Sequence, residues 1–252
     1  MTSPIVFALD LPNLAEARKA AAEVAPAVGM IKVGLELFVQ AGPEAVKLGK
    51  EVDRPVFLDL KLHDIPETVE RAVASASNLG ARLITVHASG GRTMLKRAVQ
   101  RAEKEGGTLA ICAVTILTSL DDNDLDDVGI NVTKRLAAES PAAIRVSEEK
   151  AEGRTRASRA AENLALLAYE EGVRWFVCSP AEVAILRAKL GPGAILVTPG
   201  IRPAEASAGD QKRIATPQQA IKDGANWLVV GRPIRDAANR LEAAKSIAAS
   251  VQ

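Results

Sequence analysis

Eight times along the chain, a short run of apolar and β-branched residues gives way to a longer stretch rich in Ala, Leu, Glu, Lys and Arg. That alternation reads as parallel strands joined by crossover helices. Strands are expected at 5–9, 30–33, 56–60, 83–86, 109–115, 175–178, 195–198 and 227–230, with helices between them. The 252 residues are a usual length for eight such units closed into a (β/α)8 TIM barrel, and 48% hydrophobic content is ample for one large core. A single domain over 1–252 is therefore expected. An open doubly wound sheet is the structural alternative, but no Gly-x-Gly-x-x-Gly turn follows the first strand.

Helix starts are punctuated. Asn13 with Glu16, Ser179 with Glu182, and Thr216 with Gln219 have capping-box spacing, and Pro180 and Pro217 stand at first helical positions, where a missing amide hydrogen costs nothing. One segment breaks the rhythm. Between about 131 and 160, and most densely over 143–159, charges of both signs crowd together with few apolar anchors, as expected of a solvated extension.

The 32 basic and 31 acidic residues leave a net charge of +1, which gives no electrostatic case for nucleic acid or an anionic membrane. No apolar run has the length of a membrane span, and the chain reaches its first strand by Ile5 without a basic and then apolar leader, so no signal peptide is expected. Cys112 and Cys178 are too few for a disulfide framework, which fits a reduced, cytoplasmic setting.

The most informative stretch is Val56-Phe-Leu-Asp59-Leu-Lys61-Leu62. On a strand, Asp59 and Lys61 share one face while Val56, Leu58, Leu60 and Leu62 share the other. In a barrel the apolar set belongs against the helices. The aspartate and lysine then project inward at the strand's C-terminal end, where barrel active sites are built. The competing reading is a sheet wetted on one side. Asp64 follows Lys61 by three residues and reads equally well as a second site carboxylate or as a cap answered by Glu67.

Weaker signals surround it. Asp10 ends the first strand, Lys32 lies inside the second and Thr118 follows the fifth; singly each could be a cap, a snorkelling side chain or a turn residue, but together at strand ends they describe one polar site. Pro199-Gly-Ile-Arg202 and Gly231-Arg232-Pro233 follow the seventh and eighth strands, where barrels commonly hold a phosphate. Glycine lets the backbone approach the anion, and arginine can grip it with paired hydrogen bonds. His63 and His87 have no partner at metal-ligand spacing, so no metal is expected. Separately, neither cysteine has a nucleophile's surroundings, and serine nucleophile motifs are absent.

The run from Asp59 to Thr68 matches Asp-x-Lys-x-x-Asp-Ile-Pro-x-Thr at every fixed position. Around it stand Phe-Ala-Leu-Asp10, Ile-Lys32-Val-Gly34, Val-His-Ala-Ser-Gly-Gly91, Thr-Ile-Leu-Thr118-Ser, Val-Thr-Pro-Gly-Ile-Arg202-Pro, Gly-Asp-Gln211 and Val-Gly231-Arg232-Pro. In these motifs the sequence resembles the bacterial branch of the orotidine 5'-monophosphate decarboxylase family, from about Pro4 to the C-terminus. The charged stretch from about 131 to 159 is longer than the family's usual connection.

The resemblance implies a cofactor-free decarboxylase acting on a nucleotide in the last step of UMP biosynthesis, with Lys61 protonating C6 of the pyrimidine and Asp59 beside the substrate carboxylate. It implies a homodimer in which Asp64, Ile65 and Thr68 reach the partner's site. Asp10 and Lys32 would hold ribose hydroxyls, Thr118 the pyrimidine edge, and Arg202, Gly231 and Arg232 the phosphate, with Gln211 on a closing loop. Two other readings are weighed. A magnesium-dependent 3-keto-L-gulonate 6-phosphate decarboxylase shares the Asp-x-Lys-x-x-Asp core but would want an acidic ligand on the second strand, where this chain has Lys32. A silent phosphate-ligand-binding barrel would be expected to have lost Lys61 or a flanking aspartate, and all are present.

Overall fold

Strands with no polar alternation need cover on both faces, and a closed parallel barrel wrapped in helices supplies it. The computed structural model, which describes residues 3–129, 155–203 and 215–251, has that architecture. Its strands are β1 Ile5–Ala8, β2 Met30–Gly34, β3 Val56–Leu62, β4 Leu83–His87, β5 Ala110–Val114, β6 Trp175–Val177, β7 Ile195–Thr198 and β8 Trp227–Val230. Each pairs in parallel with the next, and β8 closes on β1 through Val6↔Val229 and its neighbours.

The described α-helices are α1 Leu14–Val24, α2 Leu35–Ala41, α3 Pro43–Glu51, α4 Pro66–Asn78, α5 Gly91–Lys104, α6 Asp122–Asp127, α7 Arg156–Glu170, α8 Val183–Leu190, α9 Pro217–Lys222, α10 Arg232–Arg235 and α11 Arg240–Ala249. Strand faces divide as the period of two requires. Val6, Met30, Phe57, Leu83, Cys112 and Val197 fill the interior, with the stacked Trp175 and Trp227 at the first residues of β6 and β8. Phe7, Ile31, Leu58, Ile84, Phe176 and Leu228 join the outer core with helix residues such as Val69, Leu95 and Leu186. Fully burying a side chain of this size contributes roughly 1.5–3 kcal/mol, so both layers hold the barrel.

Boundaries differ from expectation where pairing ends. β5 stops at Val114 because the Thr115 amide reaches Val177 O only at 3.5 Å. β3 runs on to Leu62, past a register irregularity against β4 between Leu58 and Leu62.

Of the three expected capping boxes, Ser179 with Glu182 closes in both directions, opening a 3-10 turn at Pro180–Glu182 before α8. At Asn13 the Glu16 amide donates to the side chain, but Glu16 accepts from the Asn13 side-chain amide rather than the backbone. At Thr216 the Gln219 amide donates to Oγ1, while the Gln219 side chain turns forward to Asp223.

Most of the charged stretch, 130–154, lies outside the described residues. Its C-terminal end departs from the expected solvated extension: Thr155 caps α7, Ala157 and Ser158 are buried, and Arg156 pairs with Asp126. The stripe Ala157, Ala160 and Ala161 packs against Ile116 and Leu125, small apolar anchors that dense flanking charge conceals from a composition-based reading.

Candidate active site

The C-terminal ends of the strands surround a cavity of about 510 Å³. Phe57, Val114, Val177 and Val229, all from strands, supply part of its apolar surface, with Ile116 and Leu117 after β5. Asp10, Lys32, Asp59 and Lys61 stand on the β1 to β3 side, and Thr118 follows β5. Arg202, Gly231, Arg232 and Arg235 stand where β7 and β8 end. Residues that are far apart in sequence thus share one concave, polar mouth.

The charges form an alternating row. Lys32 Nζ lies 3.1 Å from Asp10 Oδ1 and 3.5 Å from Asp59 Oδ2, and Lys61 Nζ donates to both Asp59 oxygens at 2.9 Å. Burial by itself would lower the pKa of Lys32, but Asp59 and Asp10 outweigh it and hold the ammonium above its ordinary range. Burial likewise would raise the Asp59 carboxyl. The neighbouring lysines, with hydrogen bonds from Lys61 and Thr85, hold it below the usual carboxylate range. Gly34 makes room for this packing, because a Cβ there would come within 3.0 Å of Lys32 Nζ and 3.1 Å of Asp10 Oδ1.

Lys61 does not sit on an ordinary strand residue. Its φ is 51°, in the left-handed region, inside the β3 segment where the register against β4 slips. For an L-residue with a side chain this conformation costs roughly 1–2 kcal/mol. Its amide donates to Thr85 Oγ1 at 2.8 Å, and the same hydroxyl donates to Asp59 Oδ1 at 3.0 Å.

At the other wall, Gly200 turns the chain with φ 81°, a conformation that favours glycine. The turn carries Arg202 into a buried position on the cavity. The Arg202 amide donates to Ala215 O at 3.0 Å and the Ala215 amide to Gly200 O at 3.2 Å, which ties together the two ends of segment 204–214. Gln211 belongs to that segment and lies outside the described residues.

Asp64, Ile65 and Thr68 are exposed and do not line the cavity. Asp64 does not cap helix α4 in partnership with Glu67. Its carboxylate accepts from the adjacent Ile65 amide at 2.6 Å, Ile65 is the helix cap residue, and Glu67 pairs with Arg71. Among the described residues, no group of three or more His, Cys, Asp or Glu is arranged to hold a metal; His63 and His87 face each other with ring centroids 5.4 Å apart.

Two residues escaped the sequence reading. Thr85 is a polar residue at an interior-facing register of the apolar run Leu83–His87, a signal that was there to be read. Arg235, one helical turn after Arg232, lines the cavity, pairs with Asp236 and donates to the Asp10 carbonyl at 3.2 Å.

Residues 3–247 match the family model described as orotidine 5'-phosphate decarboxylase / HUMPS family. An orotidine 5'-phosphate decarboxylase of Anaeromyxobacter sp. (strain K) is 49% identical over 247 residues, 98% of this chain and 97% of that protein. One from Thermobifida fusca (strain YX) is 44% identical over 255 residues, covering 100% of this chain and 97% of that protein. Among solved structures, orotidine 5'-phosphate decarboxylase from Lactobacillus acidophilus superposes with a TM-score of 0.80 at 32% identity, over 99% of both chains.

Proposed function

The chain belongs to the orotidine 5'-phosphate decarboxylase / HUMPS family, and we propose that it converts orotidine 5'-monophosphate to uridine 5'-monophosphate and carbon dioxide, the last step of UMP biosynthesis, without a cofactor. The observation that carries this reading is the Lys61 ammonium, held at 2.9 Å from both oxygens of Asp59 in the mouth of the barrel.

Cleavage of the bond from C6 to the carboxylate leaves an electron pair on a ring carbon as carbon dioxide departs. With no cofactor to spread that charge, a fixed ammonium beside C6 stabilises it and then supplies the proton that quenches it. Asp59 beside the substrate carboxylate disfavours the bound ground state. Asp10 and Lys32 hold the ribose hydroxyls and Thr118 the pyrimidine edge. Arg202, Gly231 and Arg232 hold the phosphate, with Gln211 closing over it. Phosphate binding far from the reacting carbon offsets the work of burying a charged substrate, so it acts on turnover as well as affinity.

The test is loss of orotidine 5'-monophosphate absorbance by purified protein in excess chelator, read alongside formation of uridine 5'-monophosphate. Conversion independent of metal is expected. Folded protein that converts nothing would favour the magnesium-dependent relative or a silent binding barrel.

The active unit in this reading is a homodimer. Leu35 and Val39, one turn apart on α2, are 52% and 82% exposed, and Ile65, ahead of α4, is 67% exposed. Both helices leave the mouth side of adjacent strands, and large apolar side chains exposed there favour burial against a partner. A second copy covering them brings Asp64, next to Ile65, towards the neighbouring site. Mixing two inactive variants, Lys61→Ala and Asp64→Ala, under conditions of subunit exchange is expected to restore partial activity through hybrid sites; a mixture as inactive as its parents would sink the shared-site arrangement. Among the described residues, no helix is long and apolar enough to cross a membrane. The buried free thiols of Cys112 and Cys178 support a reducing, cytoplasmic setting.

A further inference from the structure

Along β4, Leu83 joins the interior cluster while Ile84 and Val86 join the outer core, so Thr85 faces inward, one step nearer the mouth than Leu83. It is fully buried. A buried hydroxyl in an apolar strand is unfavourable unless its hydrogen bonds are made, and here both are made to the two residues of the Lys61–Asp59 pair.

The directions are fixed by chemistry. The Lys61 amide can only donate, so Thr85 Oγ1 accepts from it at 2.8 Å; the ionised Asp59 carboxylate can only accept, so the single Thr85 proton goes to Asp59 Oδ1 at 3.0 Å. In a regular parallel ladder a strand amide finds a backbone carbonyl on its neighbour. At Lys61 the ladder is out of register and the backbone is left-handed, and a side chain supplies the acceptor instead.

We propose that Thr85 is a positioning residue for the proton-delivering lysine: its hydroxyl fixes the irregular backbone from which Lys61 projects and, through the same oxygen, orients the carboxylate that receives the Lys61 ammonium. The inference rests on the reading of Lys61 as the proton donor. It assigns Thr85 no contact with the nucleotide, since it does not line the cavity. Valine has nearly the shape of threonine but neither donates nor accepts, so it leaves a buried amide without its acceptor and removes one hydrogen bond from Asp59.

The experiment compares Thr85→Val with Thr85→Ser in the full-length protein, reading kcat, dissociation of uridine 5'-monophosphate, the pH dependence of kcat and thermal midpoint. In Thr85→Val, kcat is expected to fall on the order of 100-fold, the scale of a small misplacement in a preorganised site. Product affinity should stay close to that of the natural protein. The acid limb of the kcat profile should move to higher pH, because Asp59 has lost a donor that favours its charged form. Thr85→Ser keeps the hydroxyl and should restore most of what valine loses.

An undiminished kcat in Thr85→Val overturns the proposal. So does an equal loss in Thr85→Ser, or a loss confined to nucleotide affinity. Should the valine variant fail to fold, Thr85→Ala against Thr85→Ser is the deciding pair on the same readouts. A natural protein inert towards orotidine 5'-monophosphate, or an active Lys61→Ala, would instead overturn the functional reading beneath it.

Discussion

Replacing Lys61 by alanine is expected to lower kcat by at least about 10⁴-fold, since one group supplies both the fixed positive charge and the proton, effects each worth roughly 10²-fold or more. The fold should survive. The Lys61 side chain is 31% exposed at the cavity mouth, so truncation opens space to water instead of leaving a void in the core. Asp59 keeps Lys32 and Thr85 as partners. Single-turnover decarboxylation with enzyme in excess, paired with a thermal melt, separates chemistry from stability. Near-normal turnover in a well-folded variant would remove Lys61 from the mechanism.

Asp59→Asn should be costly in two ways. The carboxylate is shared by two lysines, one of them buried, and neutralising it leaves both ammonium groups short of an anion. Breaking a buried pair by removing one partner typically costs 3–5 kcal/mol. Because Asp10 still faces Lys32 and Lys61 is partly solvated, about 3 kcal/mol is expected here, together with a fall in kcat of about 10²-fold or more.

The loss should carry a pH signature. The Asp59 carboxyl is held below its ordinary range in the folded protein, so its contribution to stability is present above the unfolded value of about 4 and disappears as pH falls through the lower folded value. The natural protein should lose stability over that acid range more steeply than Asp59→Asn. Urea midpoints between neutral pH and about pH 3 measure the difference, and parallel curves would show that Asp59 is not the linked group.

Much of this was readable from the residues, for reasons that also set the limit. Eight apolar runs with intervening helices specify the barrel because a strand buried on both faces leaves few other closed arrangements. The period of two puts Asp59 and Lys61 on one face, and the structure has them together in the cavity with Asp10, Lys32, Thr118, Arg202, Gly231 and Arg232. That period describes a straight strand. It carries no mark of the left-handed backbone at Lys61, because such a turn usually announces itself with glycine, and here a hydroxyl on the neighbouring strand holds it.

Caps were legible only to the first atom. Spacing locates the acceptor at Asn13 and Thr216, but where the answering side chain goes depends on competitors such as Asp223 that lie a turn away. The cap that was one of two even readings of Asp64 fails for the same reason. Its carboxylate is taken by the next amide and Glu67 by Arg71, competition that a three-residue spacing does not encode.

The row Asp10, Lys32, Asp59, Lys61 runs across three adjacent strands with its signs alternating, so it sums to zero. Any one replacement that alters charge leaves the row odd, and the surplus is confined in a partly dry barrel. A step towards another chemistry on this scaffold is therefore least disruptive when charge changes in pairs, such as Asp10 with Lys32. The four groups thus behave as one coupled charge unit rather than four independent positions.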